Sequence, residues 1–153
     1  MNFADQTALR AKIRAAFPSR TFSERISTCP CEECKTLTTE LRGKAWDDVP
    51  TAFIDWTCSP VLFTPEAFCA FLPAFLLRGL DDPTGTRPVA DMTLYCLLRN
   101  ESNGDTSVRE RAILMNSDQK EAVRMYIEYL RDNGNCALTF KQEVQEALDT
   151  LWR

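Results

Sequence analysis

Apolar residues recur along this chain at spacings of three and four, the period of one face of an α-helix. The strongest instance is the segment 64–80, where Phe68, Phe71, Leu72, Phe75, Leu76 and Leu80 line one face. Cys69, Ala70, Ala74 and Leu77 make its opposite face small and mostly apolar as well. A helix apolar on nearly all sides has to be covered by the rest of the chain, so this segment is predicted to be the central core helix. Thr64 suits its N-cap, Pro65 its first position, and Glu66 the positive end of its macrodipole. Pro73 removes a backbone donor in mid-helix, which predicts a kink or a break near Leu72.

Before it, Asp5 is placed to cap a helix in which Leu9, Ile13, Ala16 and Phe17 form a stripe ending at Pro18. Leu37 and Leu41 suggest a second helix ended by Gly43, and Trp46, Val49, Phe53 and Trp56 continue at the same spacings into a short third one. After it, 81–85 reads as a turn, and 89–99 as a helix with Met92, Tyr95 and either Leu98 or Leu94 inward. Residues 100–107, with Asn103-Gly104, read as a loop. The segment 108–115 is ambiguous between strand and helix, with helix preferred. Asn116 or Ser117 caps 118–131, whose stripe is Ala122 or Val123, Tyr126, Ile127 and Leu130 and whose end is Gly134 as a left-handed cap. Residues 139–142 read as a capping box for a last helix with Phe140, Val144, Ala147, Leu148, Leu151 and Trp152 on one face. No segment alternates with period two. The expected fold is one all-α domain over 1–153, with six or seven helices around the central one.

At 153 residues, 44% hydrophobic and 26% charged, the chain can bury a core without disulfides or metal. No window approaches the run of about 18 uncharged apolar residues that crosses a bilayer, and the N-terminus has neither the basic nor the apolar region of a secretion signal. These features lead to the expectation of a cytoplasmic protein with no membrane partner. Seven cysteines agree with a reducing compartment, where thiols stay free or bind metal. The net charge of −4 is unevenly spread: residues 1–30 hold five bases against two acids, and residues 31–91 hold ten acids against five bases. An acidic middle works against phosphate binding, hence against nucleic acid, and suits docking on a basic protein. The candidate docking residues are Glu32, Glu33, Asp47, Asp48, Asp55, Asp81 and Asp82, with Trp46 and Trp56 as aromatic anchors. The plainer reading of the same residues is solvated charge, helix caps and core packing.

One local arrangement carries chemistry. Cys29-x-Cys31-x-x-Cys34 puts three thiols within six residues, enough for three corners of a tetrahedral zinc site. The fourth has to come from elsewhere; of Cys58, Cys69 and Cys136, Cys58 is favoured because it falls in a loop. A structural zinc is the cofactor this pattern allows, and free thiols are the alternative. A redox pair of Cys31 and Cys34 is a third reading, against which Glu32 and Glu33 should work by favouring the protonated thiol. The chain has no histidine, which removes the commonest general base and every Cys-His or Ser-His nucleophile. There is no phosphate-binding glycine motif either. No catalytic residue is therefore assigned.

Cys31-Glu32-Glu33-Cys34, then Gly43-Lys44-x-Trp46, then Leu62 to Phe68 with Phe71-Leu72-Pro73-Ala74, and later Ser117-x-Gln119 with Ala122, Val123 and Tyr126, together resemble an uncharacterised bacterial family of small proteins. The similarity spans roughly residues 22–131, and its most specific part is the Thr-Pro-Glu-Ala-Phe to Leu-Pro-Ala block. The resemblance implies no catalytic residues. It implies a domain of the kind found among bacterial immunity proteins, which neutralise a toxin by covering its active site. The expected function is accordingly a non-catalytic acidic inhibitor of a basic toxin such as a nuclease. A small thiol- or carboxylate-dependent enzyme and a zinc-stabilised adaptor are its rivals.

Overall fold

The most apolar segment becomes the axis of the molecule. In the computed structural model, which describes residues 3–57, 60–83, 88–98, 107–134 and 140–153, it forms the helix Pro65–Asp81, and Phe68, Phe71, Leu72, Phe75, Leu76 and Leu80 are all fully buried. Thr64 caps it, its Oγ1 accepting the Ala67 N–H at 3.2 Å. The helix runs through Pro73 without a break, and Pro73 is itself buried. Burial of the flanking rings on both sides outweighs the one missing backbone bond.

In chain order the elements are α1 (Phe3–Ala16), α2 (Glu32–Leu41), a single 3₁₀ turn (Trp46–Asp48), α3 (Thr51–Thr57), α4 (Pro65–Asp81), α5 (Val89–Leu97), α6 (Ser107–Ile113), α7 (Ser117–Asn133) and α8 (Lys141–Thr150). The fold is all-α, with eight helices among the described residues. Seven of them surround α4, which meets the upper expectation, and the ambiguous 108–115 segment contributes α6 by itself. No strand occurs among the described residues; Phe22 and Lys44 form an isolated antiparallel bridge. Helices α1, α3, α5, α6 and the 3₁₀ turn all pack on α4, while α7 packs on α1 and carries α8. No described helix is long and apolar enough to cross a membrane.

Several local expectations hold. Leu9, Ile13, Ala16 and Phe17 are buried, as are Ala122, Val123, Tyr126, Ile127 and Leu130 on α7 and Val144, Ala147, Leu148 and Trp152 at the C-terminus. Asn116 and Gln119 form a full capping box for α7. Others need correction. Asp5 lies inside the first turn of α1 and is not its cap. The third helix splits into the 3₁₀ turn and α3, which turns Ile54 inward and leaves Trp56 exposed. On α5, Leu94 and Leu98 are buried, but Met92 and Tyr95 are exposed. Gly134 has φ −103°, so it is no left-handed cap; a Cβ there would stand 2.7 Å from the Pro83 carbonyl oxygen, and the residue is needed for close approach. Thr139 of the last capping box and the Asn103-Gly104 loop lie outside the described residues.

Candidate metal centre

The three clustered cysteines sit at the end of an extended segment that is tied down twice. Near its start, the Phe22 N–H donates to Lys44 O at 3.0 Å and the Gly43 N–H donates to Phe22 O at 2.6 Å. Gly43 has φ 82°, a conformation that costs a side-chain-bearing residue about 1–2 kcal/mol, so the turn leaving α2 requires glycine. Further along, Ile26 is fully buried and its carbonyl accepts the Thr64 N–H at 2.8 Å. The Thr64 hydroxyl donates to Arg25 O at 2.9 Å while accepting from Ala67. The cap of the central helix is thus also the anchor of the cysteine segment.

Ser27 completes the arrangement. It is buried, accepts the Cys29 N–H on its Oγ at 3.2 Å, and donates that hydroxyl to Cys34 Sγ at 3.1 Å. Cys31 is the last extended residue before α2, with φ −70° and ψ 163°, and Cys34 lies in the first turn. Leu37 and Leu41 hold α2 against the core. As a result the sulfur atoms of Cys29, Cys31 and Cys34 all lie within 4.8 Å of one another, with Cys29 and Cys31 exposed and Cys34 buried. Sulfurs bound at about 2.3 Å around a tetrahedral zinc are about 3.8 Å apart, a spacing near that of these three sulfurs. The residues fit a single thiophilic metal, and the three cysteines can bind one.

The start of α2 suits anionic sulfur. The Cys31 thiol is held below its ordinary range, first by the Cys34 backbone N–H and then by the Cys29 and Cys34 thiols. This corrects the expectation that Glu32 and Glu33 would favour the protonated form: the amides of the first helical turn prevail. Burial pushes Cys34 up to about 11, with the Ser27 hydroxyl opposing. A bound cation reverses that balance by holding the thiolate directly.

Cys58 and Cys136, two of the candidates for a fourth ligand, lie outside the described residues. Cys69 is on α4, donates to Arg111 O at 3.4 Å and is pushed by burial up to about 12. Cys96 is buried in α5. Neither belongs to the three-sulfur group.

The candidate docking residues divide. Glu32 and Glu33 are exposed at the start of α2 beside the cysteines, with Lys35 on Glu32 at 2.6 Å. Asp47 and Asp48 are exposed in the 3₁₀ turn, where Asp47 accepts the Ser19 hydroxyl at 2.6 Å. Asp55 and Asp81 are instead engaged within the fold: Arg78 donates to Asp55 at 2.8 and 2.7 Å and to Asp81 at 3.3 Å, and Arg10 donates to Asp81 at 2.6 Å. Asp82 is half-buried at the C-cap of α4. Trp46 is a core residue and not a surface anchor, since it is buried, its Nε1–H donates to Phe17 O at 2.9 Å, and the Arg14 guanidinium lies over its ring. Trp56 is 54% exposed. Ser27 and the second bond of Thr64 went unread in the sequence because a serine in a polar run and a threonine at a helix start carry no long-range signal. The chain matches no family model, no curated protein and no solved structure.

Proposed function

We propose that this protein holds one structural zinc ion through Cys29, Cys31 and Cys34 and acts by binding a partner, without catalysis. The observation that carries the reading is the convergence of three sulfurs within 4.8 Å at a helix start. Zinc prefers thiolates and a closed set of four ligands, and Cys58 is the residue to which the sequence assigns the fourth position. Zinc bound here ties the 22–31 segment to α2 and so couples to folding. Protein purified under reducing, chelator-free conditions should carry close to one zinc per chain by elemental analysis. A strong chelator should lower the Tm of the native protein and leave that of Cys31→Ser unchanged, while Cys58→Ser should weaken zinc binding. Absence of zinc from the native protein sinks this reading.

A second reading is favoured by Trp56, 54% exposed on α3, and by exposed Asp47 and Asp48 just before it. In it the partner is a basic toxin, such as a nuclease, whose active site the acidic surface covers. Carboxylates would there stand in for substrate phosphates, and long-range attraction would speed association.

A further inference from the structure

We propose that Cys31 and Cys34 form a thiol–disulfide exchange pair, and that their disulfide and the bound metal exclude one another. The two residues differ in what can reach them. Cys31 is exposed, whereas Cys34 is 2% exposed and lies beneath it with the Ser27 hydroxyl on its sulfur. A small external disulfide therefore has access to Cys31, and Cys34 is shielded from everything except its neighbouring thiols. The two sulfurs are within 4.8 Å, close enough for a rotation about the Cys31 side chain to bring them to bonding distance. Cys29 is separated from Cys31 by Pro30 alone, whose ring fixes φ, and the short Cys-Pro-Cys loop cannot close as readily as the first helical turn.

The oxidant is a low-molecular-weight disulfide such as oxidised glutathione. The Cys31 thiolate attacks one of its sulfurs, the oxidant's S–S bond breaks, and a glutathione thiolate leaves, giving a mixed disulfide. Cys34 attacks the Cys31 sulfur, its proton passing to the second glutathione sulfur, which leaves as the thiol. Two protein thiols are oxidised to one disulfide, and one oxidised glutathione is reduced to two thiols. A disulfide sulfur no longer offers a thiolate, so only Cys29 of the three remains a ligand and the ion leaves. That release rests on the zinc reading above; the exchange pair does not.

The test uses the full chain, metal-free and zinc-loaded, equilibrated in glutathione buffers of graded composition, alkylated and mapped by mass spectrometry. Metal-free protein should form the Cys31–Cys34 disulfide. Cys29→Ser should retain it, and Cys34→Ser should stop at a glutathione adduct on Cys31. Free zinc at about ten times its Kd should move the glutathione ratio at half-oxidation about tenfold towards oxidising conditions, since it binds the reduced chain alone. A disulfide through Cys29, no disulfide at all, or a midpoint unmoved by zinc in a chain that binds it would each overturn the proposal. A chain that forms the Cys31–Cys34 disulfide but binds no zinc supports the exchange pair and overturns the metal reading instead.

Discussion

At Gly79 the backbone of α4 meets the Tyr126 side chain of α7. A Cβ there would collide with Tyr126 Oη and stand 3.3 Å from its Cζ and 3.4 Å from Ala90 Cα. Tyr126 is fully buried, so its ring has nowhere to swing. Alanine gains about 1 kcal/mol of helix propensity over glycine, but overpacking a core costs about 1–3 kcal/mol. Gly79→Ala should therefore destabilise the protein by up to about 2 kcal/mol in chemical denaturation. In a Tyr126→Phe background, where the colliding oxygen is gone, the same change should cost measurably less. Equal costs in both backgrounds would show that the contact is not the cause. The glycine was visible in the sequence, inside a helical run, but its reason was not, because the neighbour that requires it lies 47 positions away.

At the scale of elements, α4 is the case in which reading and structure agree. Phe71 meets Phe22 and Phe63 edge-on at centroid distances of 5.8 and 6.2 Å, and Phe75 meets Phe63 at 5.8 Å. Phe71→Ala and Phe75→Ala should each cost about 3–5 kcal/mol, the range for deleting a buried ring; losses below about 1 kcal/mol for both in a denaturant titration would remove α4 from the centre. This helix was legible because its apolar stripe is long and its cap is local. By contrast α5 offers apolar residues on more than one side, so period alone wrongly turned Met92 and Tyr95 inward and could not choose between Leu98 and Leu94, both of which are buried. Packing against α4 made the choice. Residues 46–56 misled for a related reason: Trp46 and Trp56 carry the same periodic signal, but Pro50 interrupts the run, and after the interruption Ile54 faces the core while Trp56 does not.

Charge operates at the scale of the whole molecule. Arg78 gathers Asp55 from α3 and Asp81 from its own helix, and Arg10 brings in α1. Reversing Asp81 would set a third cation beside two guanidiniums and should lower the Tm. Asp47 and Asp48 form no ion pair among the described residues, so reversing both to lysine loses only the Ser19 bond to Asp47 and should leave the Tm within about 2 °C, a shift of at most about 1 kcal/mol. If the acidic-inhibitor reading holds, that same double change slows association with a basic nuclease encoded in an adjacent reading frame, and the effect shrinks as salt rises. Stopped-flow association at two ionic strengths measures this, and unchanged rates would sink the electrostatic part of that reading.

By itself the sequence determined the helical class, the central helix, most of the inward stripes, the cap at Thr64, the cap of α7 to within Asn116 or Ser117, and the presence of three thiols at a helix start. Each of these is encoded within a turn or two of chain, by residue spacing and short-range hydrogen bonds. Tertiary structure alone decided that Cys34 is covered and Cys31 open, that Ser27 bridges two of the three cysteines, that Trp46 is core and Trp56 surface, and that Asp55 and Asp81 serve the fold. Those outcomes depend on which non-local groups meet once α4 is enclosed, and burial and ion pairing at that range leave no period in the chain.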